Sequence, residues 1–417
     1  MRAILSSIGA LLLSAAILLA GGGLLATLVA VSAELNGFPL IAIGFLSSAY
    51  FAGFMAGCLA TPHLVRRVGH VRVFAALSSL VAACVLSHML LINVPSWAIL
   101  RALTGFSFAG LYILIESWIN EQTPNESRGQ VLSVYRIVDL TAITVGQFLL
   151  TLADPKSFVL FSLVAILISL AIFPISLSTS KAPVAVSQTK LNIKKLMRVS
   201  PLAVVGCFAV GLAGGAFWGV APVLVQQLGH PIIMVSIFMS VVIFSGAMMQ
   251  WPMGWLSDKI GRRKVLILAA LGGVVSGIFL WQFAPQSKTL MLIGGVLYGF
   301  FAMQLYGLAA AHANDYAEPD EFVSISGGLL LVYGVGSVIG PSVAPIVMSV
   351  LGPSSMFAFT AAVHALLAIY GIYRLTQRAA PEDSADYVAT PRPRAGFLML
   401  RTDPRNLLKR RKKQPQD

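Results

Sequence analysis

The stretch of sequence that decides the fold is Gly254-Trp255-Leu256-Ser257-Asp258-Lys259-Ile260-Gly261-Arg262-Arg263-Lys264. It is a short, charged segment that contains glycine and lies between two apolar runs, residues 232–256 and 265–284. Each run is long enough to cross a bilayer, since about 20 helical residues span roughly 30 Å of hydrocarbon. The segment therefore predicts a tight turn at a membrane surface, joining two transmembrane helices.

Ten further apolar runs flank this pair, and the whole chain has the composition of a membrane protein. Of its 417 residues, 57% are hydrophobic and 11% charged, whereas a soluble domain has about 25% charged residues. The mean hydropathy is +0.84. The sequence predicts an all-α membrane protein with twelve spans, at residues 4–32, 40–62, 72–93, 97–119, 131–152, 157–178, 201–226, 232–256, 265–284, 289–313, 325–350 and 354–375.

The first apolar run has two interpretations. Arg2, the long run itself and the small residues at 31–33 resemble a secretory signal that ends in a cleavage site. The apolar core of such a signal, however, has only about 7–15 residues, and this run is nearly twice as long. We therefore predict a first transmembrane helix that the mature protein retains.

Basic residues predict the orientation. If the N-terminus is cytoplasmic, the predicted outer loops contain only Lys156 and Lys288 of the 29 lysines and arginines. Basic residues accumulate on the cytoplasmic side of membrane proteins. We expect both termini in the cytoplasm and a location in a bacterial inner membrane. The net charge of +13 is then a topology signal, and we expect no nucleic-acid partner.

The chain also shows an internal repeat. Gly105-Phe106 recurs 194 positions later as Gly299-Phe300, and a basic linker separates the sixth span from the seventh. Internal repeats of this kind are typical of secondary transporters.

Four segments follow from this division. We predict an N-terminal six-helix bundle at residues 1–178, a cytoplasmic linker at 179–200, a C-terminal six-helix bundle at 201–375 and a basic cytoplasmic tail at 376–417. The tail has the polar composition of a disordered segment. Its terminal lysines and arginines are equally suited to attraction by anionic lipid.

The segment 254–264 resembles the loop motif of the major facilitator superfamily, G-x-x-x-D-(R/K)-x-G-(R/K)-(R/K), at Gly254, Asp258, Lys259, Gly261, Arg262 and Arg263. The corresponding first-half loop is a poorer match, with Arg66 in place of the aspartate. A fourth-span motif of the family matches Arg101, Gly105 and Ala109. The chain is similar to a bacterial subfamily of largely uncharacterised facilitators.

This resemblance implies two six-helix bundles around a central cavity, lined by the first, fourth, seventh and tenth spans. It also implies that the loop segment, through Asp258, stabilises the inward gate. The alternative is that its basic residues only fix the topology. The Gly-Pro pattern of antiporters is absent from the fifth span, which weakens the antiporter interpretation.

Charged residues in the fourth span are candidates for a substrate or proton pathway, because a charge at the bilayer centre costs at least about 2.5 kcal/mol. Arg101, Tyr112 and Glu116 are spaced by roughly whole turns, so we expect them on one face. Alternatively, Glu116 pairs with Arg128 or Arg136 near the end of its helix.

Six further residues complete the predicted pathway. Asp139 and Gln147 share a face of the fifth span, although Asp139 could instead form a local pair with Arg136. Trp218 and Gln226 share a face of the seventh span, and Gln304 and His312 share one of the tenth. The aromatic ring could contact a ligand, and the histidine could titrate near neutral pH.

Other classes of function have little support. No phosphate-binding loop, zinc-binding helix or nucleophile elbow occurs in the sequence, and the six histidines are scattered. We expect no enzyme activity and no cofactor or metal. We predict a monomeric secondary transporter of a small molecule, coupled to protons and favouring efflux. The alternatives are an uptake symporter for a sugar or organic acid, and a membrane-embedded receptor or sensor.

The predicted topology can be tested by cysteine labelling. Single cysteines within residues 66–70, 185–195 and 260–263 should react with a membrane-impermeant maleimide only from the cytoplasmic side, because those loops carry the basic residues. Cysteines near positions 36 and 286 should react only from the periplasmic side. Periplasmic labelling of 185–195 would contradict twelve spans with both termini inside.

Overall fold

The structure, a computed structural model, describes residues 2–123, 128–177, 193–317 and 321–377. This part of the chain is helical, with no β-strand. It contains twelve helical spans that are long and apolar enough to cross a membrane. The predicted all-α fold of twelve transmembrane helices in two six-helix bundles is confirmed. Helices are the expected solution, because in lipid every backbone polar group needs a partner within the protein.

Parts of two predicted segments lie outside the described residues. The structure does not describe residues 179–192 of the linker 179–200. Of the tail 376–417, it describes only the first two residues. The side chain of Arg128, one of the two partners considered for Glu116, also lies outside the described part of the chain.

The first six spans form the first bundle, in which the sixth span is a pair of helices that meet at Ala171. The helices are α1 (Arg2–Leu35), α2 (Leu40–Val68), α3 (His70–Leu90), α4 (Val94–Gln122), α5 (Arg128–Leu149), α6 (Phe158–Leu170) and α7 (Ile172–Ser176).

A short helix in the linker precedes the second bundle, in which the tenth span is again a pair. These helices are α8 (Ile193–Val199), α9 (Pro201–Gln227), α10 (Ile232–Ile260), α11 (Arg262–Phe283), α12 (Lys288–Ala302), α13 (Leu305–Asn314), α14 (Phe322–Leu351) and α15 (Met356–Leu375).

The two bundles repeat the same helix packing. In the first, α2 packs on α4, α1 on α5 and α3 on α6. In the second, the corresponding spans pair in the same way, with α10 on α12, α9 on α14 and α11 on α15. The short sequence repeats therefore reflect a repeat of the whole six-span architecture.

Equivalent one-residue turns follow the second span of each bundle. Gly69 joins α2 to α3 with φ of 88°, and Gly261 joins α10 to α11 with φ of 95°. Glycine adopts a positive φ without the steric cost that a β-carbon imposes. Both preceding helices run past their predicted apolar ends, to Val68 and Ile260, because their last turns are polar and extend beyond the hydrocarbon.

The tenth span is interrupted at Met303 and Gln304, between α12 and α13. The Gln304 amide donates to the carbonyl oxygens of Gly246, at 2.7 Å, and Gly299, at 3.3 Å. The side chain thereby compensates for a break in the helix, which in a membrane is tolerated where protein or water satisfies the backbone.

Direct contacts between the bundles gather at the end of the molecule opposite the two basic turns. The Ser48 hydroxyl of α2 lies 2.7 Å from the Ser342 hydroxyl of α14. Ser236 of α10 donates to the carbonyl oxygen of Gln147 at 2.6 Å. The Gln227 amide donates to Glu34 at 3.0 Å. These contacts close one end of the space between the bundles.

Small residues allow this close approach. Gly44 of α2 faces the turn of α14 that contains Pro341 and Pro345, and a β-carbon at Gly44 would overlap the carbonyl oxygen of Pro341. Glycine at such a crossing lets two helix backbones come together. Closure at this end therefore depends on the absence of a side chain at position 44.

A larger residue at position 44 should separate α2 from α14. In a background without the native cysteines, Ser48→Cys and Ser342→Cys should cross-link in high yield, because the two hydroxyls are 2.7 Å apart. Gly44→Leu should lower that yield several-fold. Gly9→Leu is the matched control, since nothing lies within 4 Å of a β-carbon there. An unchanged yield in Gly44→Leu would contradict the described crossing.

Candidate functional site

A central cavity lies between the two bundles. Its volume, measured as the space that the centre of a water molecule can occupy, is about 160 Å³. One water needs about 10–15 Å³ by this measure, so the space admits a small organic molecule. Both bundles contribute polar and aromatic side chains to the lining of the cavity. The aromatic lining residues are Tyr50, Phe51, Phe54, Tyr112, Trp218, Tyr298, Tyr306 and Tyr333.

Arg101 lies on the cavity wall, although only 5% of its surface is exposed. Arg101 lies two turns from the N-terminus of α4. Asn93 caps that terminus, because its side-chain oxygen accepts a hydrogen bond from the Ser96 amide at 2.9 Å. Its guanidinium carbon lies 4.3 Å from the ring centroid of Tyr50. Such a cation–π contact stabilises a buried charge by about 2 kcal/mol, less than full desolvation costs.

Three other predicted pathway residues also line the cavity. Tyr112 packs against Phe54, with ring centroids 6.4 Å apart, on the first-bundle side. Trp218 lies on the opposite wall, in edge contact with Phe217. Gln304 reaches the cavity because of the break between α12 and α13. The structure therefore brings Arg101, Tyr112, Trp218 and Gln304 together around one space.

Asp139 reaches the cavity through its partner. Its carboxylate forms an ion pair with Arg136 at 3.0 Å, which is the local pair that the sequence left open. Arg136 itself lines the cavity and also donates to the Gln250 side chain of α10 at 3.4 Å. A carboxylate of the first bundle is thus linked, through one arginine, to the second bundle.

Four predicted pathway residues lie away from the cavity wall. Glu116 is buried in α4, and Gln226 is half-buried at the closed end. The Gln147 amide donates to the carbonyl oxygen of Gly23 and its side-chain oxygen accepts from Thr27, so this glutamine joins α5 to α1.

His312 is the fourth, at the end of α13 near the basic turns. Its ring contacts that of Tyr316, with centroids 5.1 Å apart, beside a small cleft that Arg263 also lines.

The loop segment forms a network among helix ends of the second bundle. Arg262 pairs with Asp258 at 3.0 Å and with Asp315, after α13, at 2.8 Å. Arg263 donates to the Tyr316 hydroxyl at 2.8 Å and to the carbonyl oxygen of Arg374 at 3.0 Å. The network connects the ends of α10, α11, α13 and α15.

The remaining motif residues have local roles. Lys259 lies over the Trp255 ring at 3.9 Å, Gly261 forms the turn, and Gly254 accepts through its carbonyl oxygen from Ser257. Ser257 in turn accepts from Arg262 at 3.1 Å.

Sequence reasoning missed several residues that the structure places in these sites. Asp315 immediately follows the tenth span, and no local pattern in the sequence links it to the basic turn, 53 positions away. Tyr50, Gln250 and His364 also line the cavity. They belong to the second, eighth and twelfth spans, which the family resemblance does not place around it. In the described part of the chain, no group of histidine, cysteine and acidic residues could hold a metal ion.

Comparisons with known proteins agree with this geometry. The sequence profile of the Major Facilitator Superfamily matches residues 11–251 and, again, 203–408. The uncharacterised MFS-type transporter YcaD of Salmonella newport (strain SL254) is 28% identical over 357 residues, which is 85% of this chain and 91% of the relative.

Two solved structures are similar over nearly their whole length. The nucleoside transporter NupG has a TM-score of 0.74 at 13% identity and covers 87% of this chain and 98% of its own. A bacterial homologue of the human lysosomal transporter Spinster, in an inward-facing and occupied conformation, has a TM-score of 0.74 at 14% identity. The match covers 90% of this chain and 98% of that protein. At such identities the likeness concerns the fold.

The two carboxylates that pair with Arg262 should differ in their contribution to stability. Asp315→Asn should destabilise the protein by about 3 kcal/mol, because it breaks an ion pair in which both side chains are buried. Asp258 is 30% exposed, so Asp258→Asn should cost about 1 kcal/mol or less. Thermal unfolding of the purified proteins in detergent would measure both. A larger loss in Asp258→Asn would contradict this order.

Proposed function

The chain belongs to the Major Facilitator Superfamily, and we propose that it exports a small molecule across a bacterial inner membrane by proton-coupled alternating access. The family and its fold support secondary transport, the function of non-enzymatic carriers. Direction, coupling ion and cellular membrane are the parts that we propose. A small-molecule substrate and the surrounding lipid are the partners that the family implies.

The observation that carries this proposal is a cavity between two repeated bundles that touch at one end. Alternating access requires a central site that opens to one side at a time, by rocking of one repeat against the other. The contacts of Ser48 with Ser342 and of Gln227 with Glu34 close the end opposite the basic turns. With both termini in the cytoplasm, this arrangement is an inward-facing state.

The division of the chain fits the same motion. We propose residues 179–200 as the linker that lets the bundles, 1–178 and 201–375, move as units. Both walls of the cavity come from one chain, which supports a monomer as the functional unit.

Proton coupling requires a carboxylate whose charge alters contacts at the cavity. From the sequence, Glu116 is the first candidate for this carboxylate and Asp139 is the second. The contacts favour Asp139, because its partner Arg136 lies on the cavity wall and reaches Gln250 of the other bundle. Protonation of Asp139 would remove the ion pair and leave Arg136 free to change its contacts. A charge change at one residue would then bias the position of one bundle against the other.

A second candidate function is uptake of an organic acid by symport. Arg101 is buried at the cavity and forms no ion pair with a carboxylate in the described part of the chain. This favours an anionic substrate, and that substrate could be moved in either direction. Reconstitution with a defined orientation and gradient would separate the two directions. A receptor or sensor would bind ligand without net flux.

Substrate-dependent proton movement tests the proposal. Purified protein would be placed in liposomes containing the pH dye pyranine, and labelled nucleosides, sugars, organic anions and cationic dyes would be added one at a time. We expect a substrate that moves protons in the wild type and accumulates when a pH gradient is imposed. Accumulation should fall by at least about tenfold in Asp139→Asn, as expected for loss of a coupling proton.

The matched controls are Glu116→Gln and Asp154→Asn. Asp154 is an exposed carboxylate in a loop, so its removal should leave accumulation unchanged. Gradient-driven accumulation that persists in Asp139→Asn and disappears in Glu116→Gln would transfer the coupling role to Glu116. Transport that no pH gradient affects would contradict proton coupling.

A further inference from the structure

Arg101 is a buried charge at the cavity that has no counter-charge among the described residues. Its Nε and Nη1 atoms are buried without a hydrogen-bond acceptor in the described part of the chain, and no carboxylate of those residues lies within 4.0 Å of it. The other cavity arginine, Arg136, has its acidic partner at 3.0 Å. Burial of an unpaired ion costs several kcal/mol, so the Arg101 site is suited to an anion.

The protein itself offers no acidic group for this role from the same helix. Glu116 is 15 positions further along α4, which is roughly 22 Å along the axis and about 60° away around it. The described residues that line the cavity include no aspartate or glutamate. An anionic ligand in the cavity would therefore reach Arg101 without competition from a described carboxylate.

The rest of the cavity wall selects the body of such a ligand. Tyr50 and Phe54 of the first bundle face the space together with Trp218 and Tyr306 of the second. Aromatic side chains prefer offset or edge contacts with another ring, at centroid distances of about 4.5–7 Å. A flat aromatic molecule would find such partners on both walls.

We propose that this cavity binds an aromatic organic anion, whose acidic group accepts hydrogen bonds from Arg101 and whose ring lies between the aromatic walls. This assignment rests on the proposed function in that the central cavity is the transport site. A planar guanidinium can donate two parallel hydrogen bonds to a carboxylate. Arg101 then has its counter-charge only in the loaded protein.

Binding of matched small molecules to the purified protein tests the proposal without any transport step. The probes are 2-naphthoate, naphthalene-2-sulfonate, the neutral 2-naphthamide and acetate, measured by isothermal titration calorimetry in detergent. Both naphthalene anions should bind at least about tenfold more tightly than the amide, the ratio expected from one hydrogen bond to a charged group. They should exceed acetate by a similar factor, because acetate lacks the ring.

Two variants locate the anion and the ring. Arg101→Gln should reduce the preference for naphthoate over naphthamide to about twofold or less, since it removes the charge. Tyr50→Leu should weaken both naphthalene ligands. Arg72→Gln is the matched control, because Arg72 is exposed on α3, and it should retain the wild-type preference. The wild-type comparison alone decides the question if Arg101→Gln fails to fold.

The outcomes separate this proposal from the one on transport. Naphthoate that binds through Arg101 without any flux in liposomes would support the site and contradict transport of that class. Gradient-driven flux of a neutral or cationic compound, with no preference for naphthoate in the binding assay, would support transport and overturn the anion assignment. Equal binding of naphthoate and acetate would overturn the aromatic part, and so would absence of binding by every anion at millimolar concentration.

Discussion

The contact between α2 and α14 is the constraint on which the described conformation depends. Gly44 lets the two helices approach closely, and the Ser48–Ser342 hydrogen bond lies one turn further along the same crossing. These helices belong to different bundles, so their contact fixes the position of one bundle against the other. The central cavity lies between the two bundles, which touch at this end. Arg101 and the aromatic walls line this cavity.

Charge is distributed in two different ways along the molecule. Near the basic turns, Arg262 and Arg263 are surrounded by acidic or hydroxyl partners at 2.8–3.0 Å. These contacts join helix ends within the second bundle and make it a rigid unit. At the cavity, by contrast, the Arg101 guanidinium lies over the face of Tyr50 and forms no ion pair with a described carboxylate. The first arrangement suits a structural element, and the second suits a site that a ligand completes.

The sequence was sufficient for the fold, and only partly sufficient for the site. Hydrophobic length located the twelve spans, because the bilayer imposes it on each helix separately. Helical spacing placed Arg101 and Tyr112 on one face correctly. Glu116, the third residue predicted on that face, is not among the described residues that line the cavity, and its place in the pathway stays a prediction.

Features that depend on contacts between distant spans were not predictable. The break at Met303–Gln304 and the ion pair of Arg262 with Asp315 have no local pattern, since the partners of that pair are 53 positions apart. Gln250 likewise reaches the cavity only because α10 packs against α5. Such residues become visible once the relative positions of the helices are known.

Alternating access requires the bundles to close one end of the cavity while they open the other. Distances between spin labels test it most directly, with one pair at positions 36 and 229 on the closed end and another at 69 and 261 beside the basic turns. By double electron–electron resonance, the account predicts a short distance for the first pair in the absence of substrate. During transport, a second population should appear in which the first distance is longer and the second is shorter. Distances that change in the same sense at both ends, or at neither end, would contradict alternating access.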